Sequence, residues 1–534
     1  MRSDRHQRPR QRNQQTSSKM TAPSRPIFFI FTVLLALAYP ASRSAGQTPA
    51  PVELRILAIN DFHGYLRPPP GGIRIADPAD KTRKIAVAAG GAEHMATLVN
   101  QLREGHTNTI FVAAGDLIGA SPFLSAMFHD ESTIESMSMM GLDISAVGNH
   151  EFDEGKDELL RMQNGGCHPV DGCQGPHPFT GAKFHYLAAS TFERSTGKTI
   201  FPSYQIREFE GIPVAFIGLT LKATPDIVSP TGVASLEFMD EAEAVNALVP
   251  KLRARGVEAF VVLIHQGGYP IGDYNECPGI SGDIVDIVRK FDRAVDVVIS
   301  GHTHQAYICT IDGRLVTQAD KYGTVVTAID IKLDRTTHDV IGARAENVIV
   351  RTDLASDPGQ AALLATYDKF AAPIADRVAG SVTQTLSHAP NDAGESPLGD
   401  IIADAQLAAT SAEGSGGAVI ALTNPGGIRT DITKKQDGGV TYGDVFASQP
   451  FRKAGHDDAV GRADQKRAGT AMARPEAAAH PAGLQRVRLP LGRRQTQRQA
   501  RHRRQHDAER RTHRSRQKLP RHREQLSRGR RRRL

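Results

Sequence analysis

The chain has 534 residues, 40% of them hydrophobic and 23% charged, which suits a globular protein with two or three cores and excludes a disordered one. Its net charge of +7 hides a split: Ala454–Leu534 carries 24 Lys and Arg against 7 Asp and Glu, so an acidic protein bears a basic tail. The two parts need separate explanations.

Residues 1–45 read as an N-terminal extension and export signal. The apolar run "IFFIFTVLLALA" (Ile27–Ala38) is short for a membrane span, follows basic residues and precedes mostly small ones, Ala41 to Gly46. Met20 is read as the start, because the stretch before it is long and polar for a signal. The expected location is periplasmic or extracellular, with a signal anchor as the alternative and no stable membrane span in the mature chain. Export permits disulfides. The four cysteines favour the local pairs Cys167–Cys173 and Cys277–Cys309 among three connectivities, and their spacing does not fit a thiolate zinc site.

From residue 50 to 350, Val- and Ile-rich runs such as "ELRILAIND", "TIFVAAGD", "AFVVLIHQGG" and "VDVVISGHTH" alternate with amphipathic stretches, among them Ala92–Arg103 and Glu241–Arg255. Buried strands alternating with helices predict an α/β layered domain whose active groups sit on the loops leaving the strands. A linker at 351–377, helical over Asp357–Ala375, leads to a second α/β segment at 378–452. The Arg-rich tail occupies 453–534. No internal repeat is present.

Five strand ends carry metal-ligand side chains: Asp61 and His63 in "NDFHG", Asp116 in "AAGDLIG", Asn149 and His150 in "GNHEFD", His265 in "LIHQGG", and His302 and His304 in "SGHTH". A lone Asp after a strand is usually a turn former and a lone His usually structural. Five such motifs in one domain point instead to a common centre. Mixed carboxylate, imidazole and amide donors suit Zn, Mn, Co or Fe better than a lone Ca or Mg.

The set D-x-H, G-D, G-N-H-E, H and G-H-x-H resembles the calcineurin-like metallophosphoesterases. Its longer forms resemble the exported 5′-nucleotidase branch, with its UDP-sugar hydrolases and 2′,3′-cyclic-nucleotide phosphodiesterases. The resemblance covers Glu53–Phe451. It implies a metallophosphoesterase β-sandwich flanked by helices, and two divalent ions. One ion would take Asp61, His63, Asp116 and His304; the other would take Asp116, Asn149, His265 and His302, with Asp116 bridging. Such a pair binds the attacking hydroxide and a phosphoryl oxygen of an in-line displacement. The resemblance further makes His150 the group that stabilises the transition state or protonates the leaving oxygen, with Asp153 orienting it, and leaves Glu151 and Phe152 to stabilise the turn. Ser190 in "LAAST" stands where the pattern has Asn.

"ESPLGDIIADAQ" and "ALTNPGGIRTDI" resemble the nucleotide-binding C-terminal domain of the same branch. The resemblance makes Asn424 and Arg429 substrate contacts, uses Gly427 for close backbone approach, and makes Phe451 half of an aromatic clamp. The implied substrate is a nucleotide or nucleotide-sugar. After Phe451 the resemblance stops, and Arg452–Leu534 contains no Phe, Tyr, Trp or Ile. A one-base shift of frame forces a Trp codon at Met472–Ala473 and permits "NNFLADGGDG" over Glu524–Arg533, so the tail reads as an out-of-frame translation. Such a loss truncates the second domain and exposes apolar surface. Two other classes compete: a damaged, binding-only protein, and nucleic-acid binding by the tail. The latter is disfavoured by the absence of stacking aromatics there, so no specific nucleic-acid partner is expected.

Overall fold

The computed structural model describes residues 49–450. The expected signal segment, Phe451 and the basic tail lie outside the described residues. The chain forms two compact units, the first running to Thr383 and taking up Lys434–Pro450, the second comprising Gln384–Thr433 among the described residues.

Two six-stranded sheets build the first unit. In chain order the strands are β1 (Val52–Ile59), β2 (Thr109–Ala113), β3 (Ile144–Ala146), β4 (His185–Leu187), β5 (Tyr204–Phe209), β6 (Ile212–Leu219), β7 (Ala259–Ile264), β8 (Val297–Ser300), β9 (Ala306–Ile311), β10 (Arg314–Ala319), β11 (Val325–Leu333) and β12 (Val340–Ile349). One sheet has the order β12-β11-β1-β2-β3-β4 and the other β9-β10-β8-β7-β6-β5. The centre of each is parallel: β1 with β2, β2 with β3 and β3 with β4 in the first, and β6, β7, β8 and β10 in the second. Antiparallel strands β11 and β12 extend the first sheet beyond β1, and antiparallel β9 and β5 form the edges of the second.

Burial explains the apolar runs. All six residues of β7 are buried, as expected of a strand covered on both faces. Leu54, Ile56, Val112, Phe216, Val261 and Ile299 share the core between the sheets. The outer face of the first sheet packs on helices α1 (Ala92–Arg103), α2 (Glu131–Met139) and α3 (Lys156–Asn164) through Met95, Val99, Ile134, Met137 and Leu159. Helices α4 (Glu241–Arg253) and α5 (Asp283–Lys290) cover the second sheet through Val245, Val249, Ile284 and Val288. The result is the expected helix-flanked sandwich, in four layers.

Helix α6 (Pro358–Ala375) starts where the sequence places it. Asp357 caps it, accepting the Gln360 amide at 2.9 Å. It is not a free connector, for Leu364, Tyr367 and Ala371 are buried, and the Gln360 side chain pairs with Ser136 of α2. The ribbon of Val378–Ser381 with Gly439–Thr441, and helix Tyr442–Ser448 with its Thr441–Asp444 capping box, belong to the same unit. Both favoured cysteine pairs are joined, with Cα separations of 4.5 Å for Cys167–Cys173 and 5.3 Å for Cys277–Cys309.

In the second unit, helix Pro397–Thr410 buries Leu398 and Ile402 and is capped by Ser396. The apolar run Ala418–Leu422 forms no strand, and Val419 and Ile420 are 85% and 69% exposed. No helix among the described residues is long and apolar enough to cross a membrane.

Candidate metal centre

Every candidate ligand follows the carboxyl end of a central strand. Asp61 and His63 leave β1, Asp116 leaves β2, Asn149 leaves β3, His265 leaves β7, and His302 and His304 leave β8. This is where open α/β sheets place their sites. Convergence is achieved by left-handed backbone: Asp61, His63, Asp116, His302 and His304 have φ of 49°, 48°, 51°, 72° and 55°. Non-glycine residues there cost on the order of 1 kcal/mol or more each, and persist only where the surroundings hold them.

The side chains meet in two overlapping groups. In one, His63 Nε2 lies 3.1 Å from His304 Nε2, and Asp61 Oδ1 is 3.4 Å from His304 Nε2 and 3.8 Å from His63 Nε2. In the other, His265 Nε2 lies 3.0 Å from Asp116 Oδ2 and 3.1 Å from Asn149 Oδ1, with His302 beside them. Asp116 Oδ2 is also 3.6 Å from His63 Nε2, so it stands between the groups.

The hydrogen bonds fix the tautomers. His63 Nδ1 donates to the Gly119 carbonyl at 2.9 Å and His265 Nδ1 to the Ala114 carbonyl at 2.8 Å. In the neutral form that ligates a metal, both Nε2 lone pairs would therefore face the buried carboxylates. Facing acceptors in a dry site call for cations, and backbone-oriented imidazoles are how metal ligands are usually presented. The donor set fits divalent ions without thiolate. Burial pushes the Asp116 carboxyl up, but His265 and His150 pull it well below the usual range. Burial pushes His265 down, yet the charge of Asp116 carries it up to about 10. His302 is pushed down to about 4 by burial and then by His265.

The turn Gly148–Gly155 serves the centre at several points. Asn149 supplies its amide oxygen, and the His150 amide donates to Asp116 Oδ1 at 2.8 Å. His150 Nδ1 sits 2.8 Å from Asp153 Oδ2, and its ring lies 4.9 Å from that of His63. His150 also shares a donor cluster with His63 and Asp116. Glu151 is buried beneath the turn, while Phe152 packs edge-on against Phe238 at 5.6 Å. Gly148 admits no side chain, because a Cβ would stand 2.2 Å from Asp116 Oδ1.

Sequence reasoning missed several supporting residues. Asn60 donates to Asp61 Oδ2 and to the Asp320 carbonyl, both at 2.7 Å, and accepts the Ala319 amide at 2.7 Å. Its position immediately before Asp61 was the available signal. Tyr322 stacks on Tyr65 at 3.9 Å, and its ring lies 5.9 Å from His63 and 5.6 Å from His304; nothing in "DKYGT" marks it. Ser190, the departure from pattern, bridges the amide and carbonyl of Thr220 at 3.0 Å each.

Asn424, Gly427 and Arg429 belong to the second unit. Asn424 caps the short helix Pro425–Gly427, accepting the Gly426 amide at 3.1 Å, and Gly427 donates its amide to the Asn424 carbonyl at 2.9 Å. Asn424 is exposed and Arg429 half-buried.

Comparison with known proteins identifies the family. The calcineurin-like phosphoesterase profile matches residues 54–306, and the 5′-nucleotidase C-terminal domain profile matches residues 377–455. Endonuclease YhcR of Bacillus subtilis is 34% identical over 434 residues, covering 81% of this chain and 34% of its own. Cell wall protein Lmo0130 of Listeria monocytogenes is 28% identical over 462 residues, covering 80% of this chain and 57% of its own. The chain thus spans about a third and somewhat over half of these two relatives' lengths. The crystal structure of a 5′-nucleotidase precursor from Thermus thermophilus shares the fold, with a TM-score of 0.58 and 24% identity over 75% of this chain and 74% of that one. The chain belongs to the calcineurin-like phosphoesterase family and carries the 5′-nucleotidase C-terminal domain after its sandwich.

Proposed function

We propose that the protein is an exported hydrolase that removes phosphate from nucleotides, using two divalent ions. Asp61, His63 and His304 would hold one ion and Asn149, His265 and His302 the other, with Asp116 shared. Bound there, the ions would offset the phosphoryl charge and favour in-line displacement by water. The position of Asp116 Oδ2 within 3.6 Å of both His63 and His265 carries this reading.

The chain's own groups do the rest. His150, held at Nδ1 by Asp153, is placed to protonate the departing oxygen or to donate to the phosphoryl group. Asn424, Gly427 and Arg429 would receive the nucleotide, with Phe451 against its base. Export is supported by the two disulfides and by a relative named as a cell wall protein.

The test is hydrolysis of a chromogenic phosphate ester by purified full-length chain, with and without Zn, Mn or Co, followed by AMP, a UDP-sugar and a 2′,3′-cyclic nucleotide. Metal-dependent release that is strongest on AMP, and lost in Asp116→Asn, is the expected result. Full activity in strong chelator would overturn the reading. Preference for the UDP-sugar or the cyclic ester would move the assignment within the branch. A second reading, cleavage of nucleic-acid phosphodiesters, is favoured by the relative named an endonuclease. Degradation of DNA or RNA, with AMP left intact, would select it.

A further inference from the structure

Away from the centre, the described residues hold one other group of metal-type donors. His129, Glu154, Glu158 and His168 bring their donor atoms within 4.8 Å of one another. They come from three places: the end of the segment before α2, the turn and helix around α3, and the loop closed by Cys167–Cys173.

His129 is the anchor. Its side chain is 3% exposed, with Nδ1 3.1 Å from Glu154 Oε2 and Nε2 3.1 Å from Asp171 Oδ2. A neutral imidazole has a single N–H. With one N–H directed to Asp171, the other ring nitrogen meets the Glu154 carboxylate, a contact satisfied either by a second ring proton or by a cation shared between the two. Carboxylate, imidazole and cation in series is the usual way a ligating histidine is oriented.

His168 stacks on His129 with ring centroids 3.8 Å apart and planes 8° apart, and its Nε2 is 3.8 Å from the same Glu154 oxygen. Glu158 is already charged against Arg161, at 2.6 to 3.1 Å, and retains lone pairs for another partner. Donors about 2.1 Å from one ion stand roughly 3.0–3.4 Å apart; the His129–Glu154 pair at 3.1 Å already has that spacing, while the His168–Glu154 pair at 3.8 Å and the group as a whole, within 4.8 Å, would draw in on binding.

We propose that His129, Glu154, Glu158 and His168 form a second, separate site for a divalent ion of the zinc type, which ties the disulfide-closed loop to the turn bearing Asp153. Two imidazoles select against Ca and Mg. Glu154 is the residue after Asp153, so the ion would brace the catalytic turn from behind. Uptake would turn the His168 ring out of the stack and release its Nδ1 from the Asp171 amide, now 3.1 Å away.

The proposal is tested with the metal alone, in full-length protein whose main centre is disabled by Asp116→Asn. Co²⁺ is titrated by calorimetry and visible absorption, and the equivalents bound are counted. Adding His129→Ala or Glu154→Gln should remove one equivalent, together with its imidazole-ligated absorption. Glu154→Gln guards against misfolding, since that side chain is partly exposed and near-isosteric. Equal Co²⁺ uptake with and without Glu154→Gln overturns the proposal and leaves the cluster as a histidine held between carboxylates. Hydrolytic activity is not the readout, so failure here and failure of the phosphohydrolase reading are distinguishable.

Discussion

Glu151 supports Asp116 from below: one carboxylate oxygen accepts the Asp116 amide at 2.9 Å and the Gly148 amide at 2.7 Å, while the other accepts the Leu117 amide at 2.8 Å. One buried side chain thereby fixes two turns that bear candidate ligands against each other. Burial, and then the charge of Asp116, push its carboxyl up to about 8. Glu151→Gln would turn a donor toward one of these amides and leave it unsatisfied, at about 1–3 kcal/mol. The expected outcome is a roughly 10–100-fold loss of metal affinity with the fold retained, read by metal titration and circular dichroism. Unchanged affinity would remove Glu151 from any supporting role.

His150 and Asp153 make a separable prediction. If His150 protonates the leaving oxygen, His150→Ala should slow AMP hydrolysis by about 10²–10⁴ and p-nitrophenyl phosphate hydrolysis much less, because nitrophenolate departs without help. Asp153→Asn should give a smaller loss in kcat with KM nearly unchanged. Equal losses on both substrates would assign His150 to charge stabilisation instead.

Gly148→Ala tests the closeness of the turns. The added carbon meets Asp116 Oδ1 at 2.2 Å and the Asp116 amide nitrogen at 2.5 Å, and neither is a flexible end. Activity should fall at least about 100-fold, since a misplacement of about 1 Å is worth that much, whereas Gly342→Ala, which meets nothing within 4 Å, should leave it unchanged. Near-normal turnover in Gly148→Ala would contradict the geometry.

Asp296 provides a pH test remote from the centre. Its carboxylate accepts the Phe260 amide at 2.8 Å, and burial, with Asp339, carries it up to about 7 against the pull of that amide and of Arg314. A carboxyl raised on folding favours the native state fully below its unfolded pKa, and that contribution is lost as pH rises through about 7. Asp296→Asn keeps an acceptor and removes the ionisation. The variant should gain about 2 kcal/mol over the wild type at pH 8 relative to pH 4, a figure discounted for partial exposure, measured by urea unfolding. An equal difference at both pH values would refute it.

Much of the sandwich could be read from the chain because its strands are buried on both faces, and runs such as "AFVVLI" need no alternation to be recognised. The candidate ligands stood out because polar residues at strand ends are conspicuous against those runs. The means of convergence was not. Only glycine advertises positive φ in a sequence, and Asp61, His63, Asp116, His302 and His304 adopt it without glycine's freedom. Helix Pro358–Ala375 was correctly placed, yet its packing was hidden because a polar residue, Gln360, makes a buried contact with Ser136. Asn60 and Glu151 act through hydrogen bonds to backbone groups distant in sequence, which no local pattern records.

The candidate ligands divide between the sheets: Asp61, His63, Asp116 and Asn149 come from the first, and His265, His302 and His304 from the second. Ions bound there would act as a clasp across the sandwich. Binding free energy and sheet-to-sheet packing then become one quantity seen from two ends. Shaving Phe216 in the shared core, far in sequence from any candidate donor, should be felt as weakened ion uptake, and saturating ions should raise the force or heat needed to pry the two sheets apart.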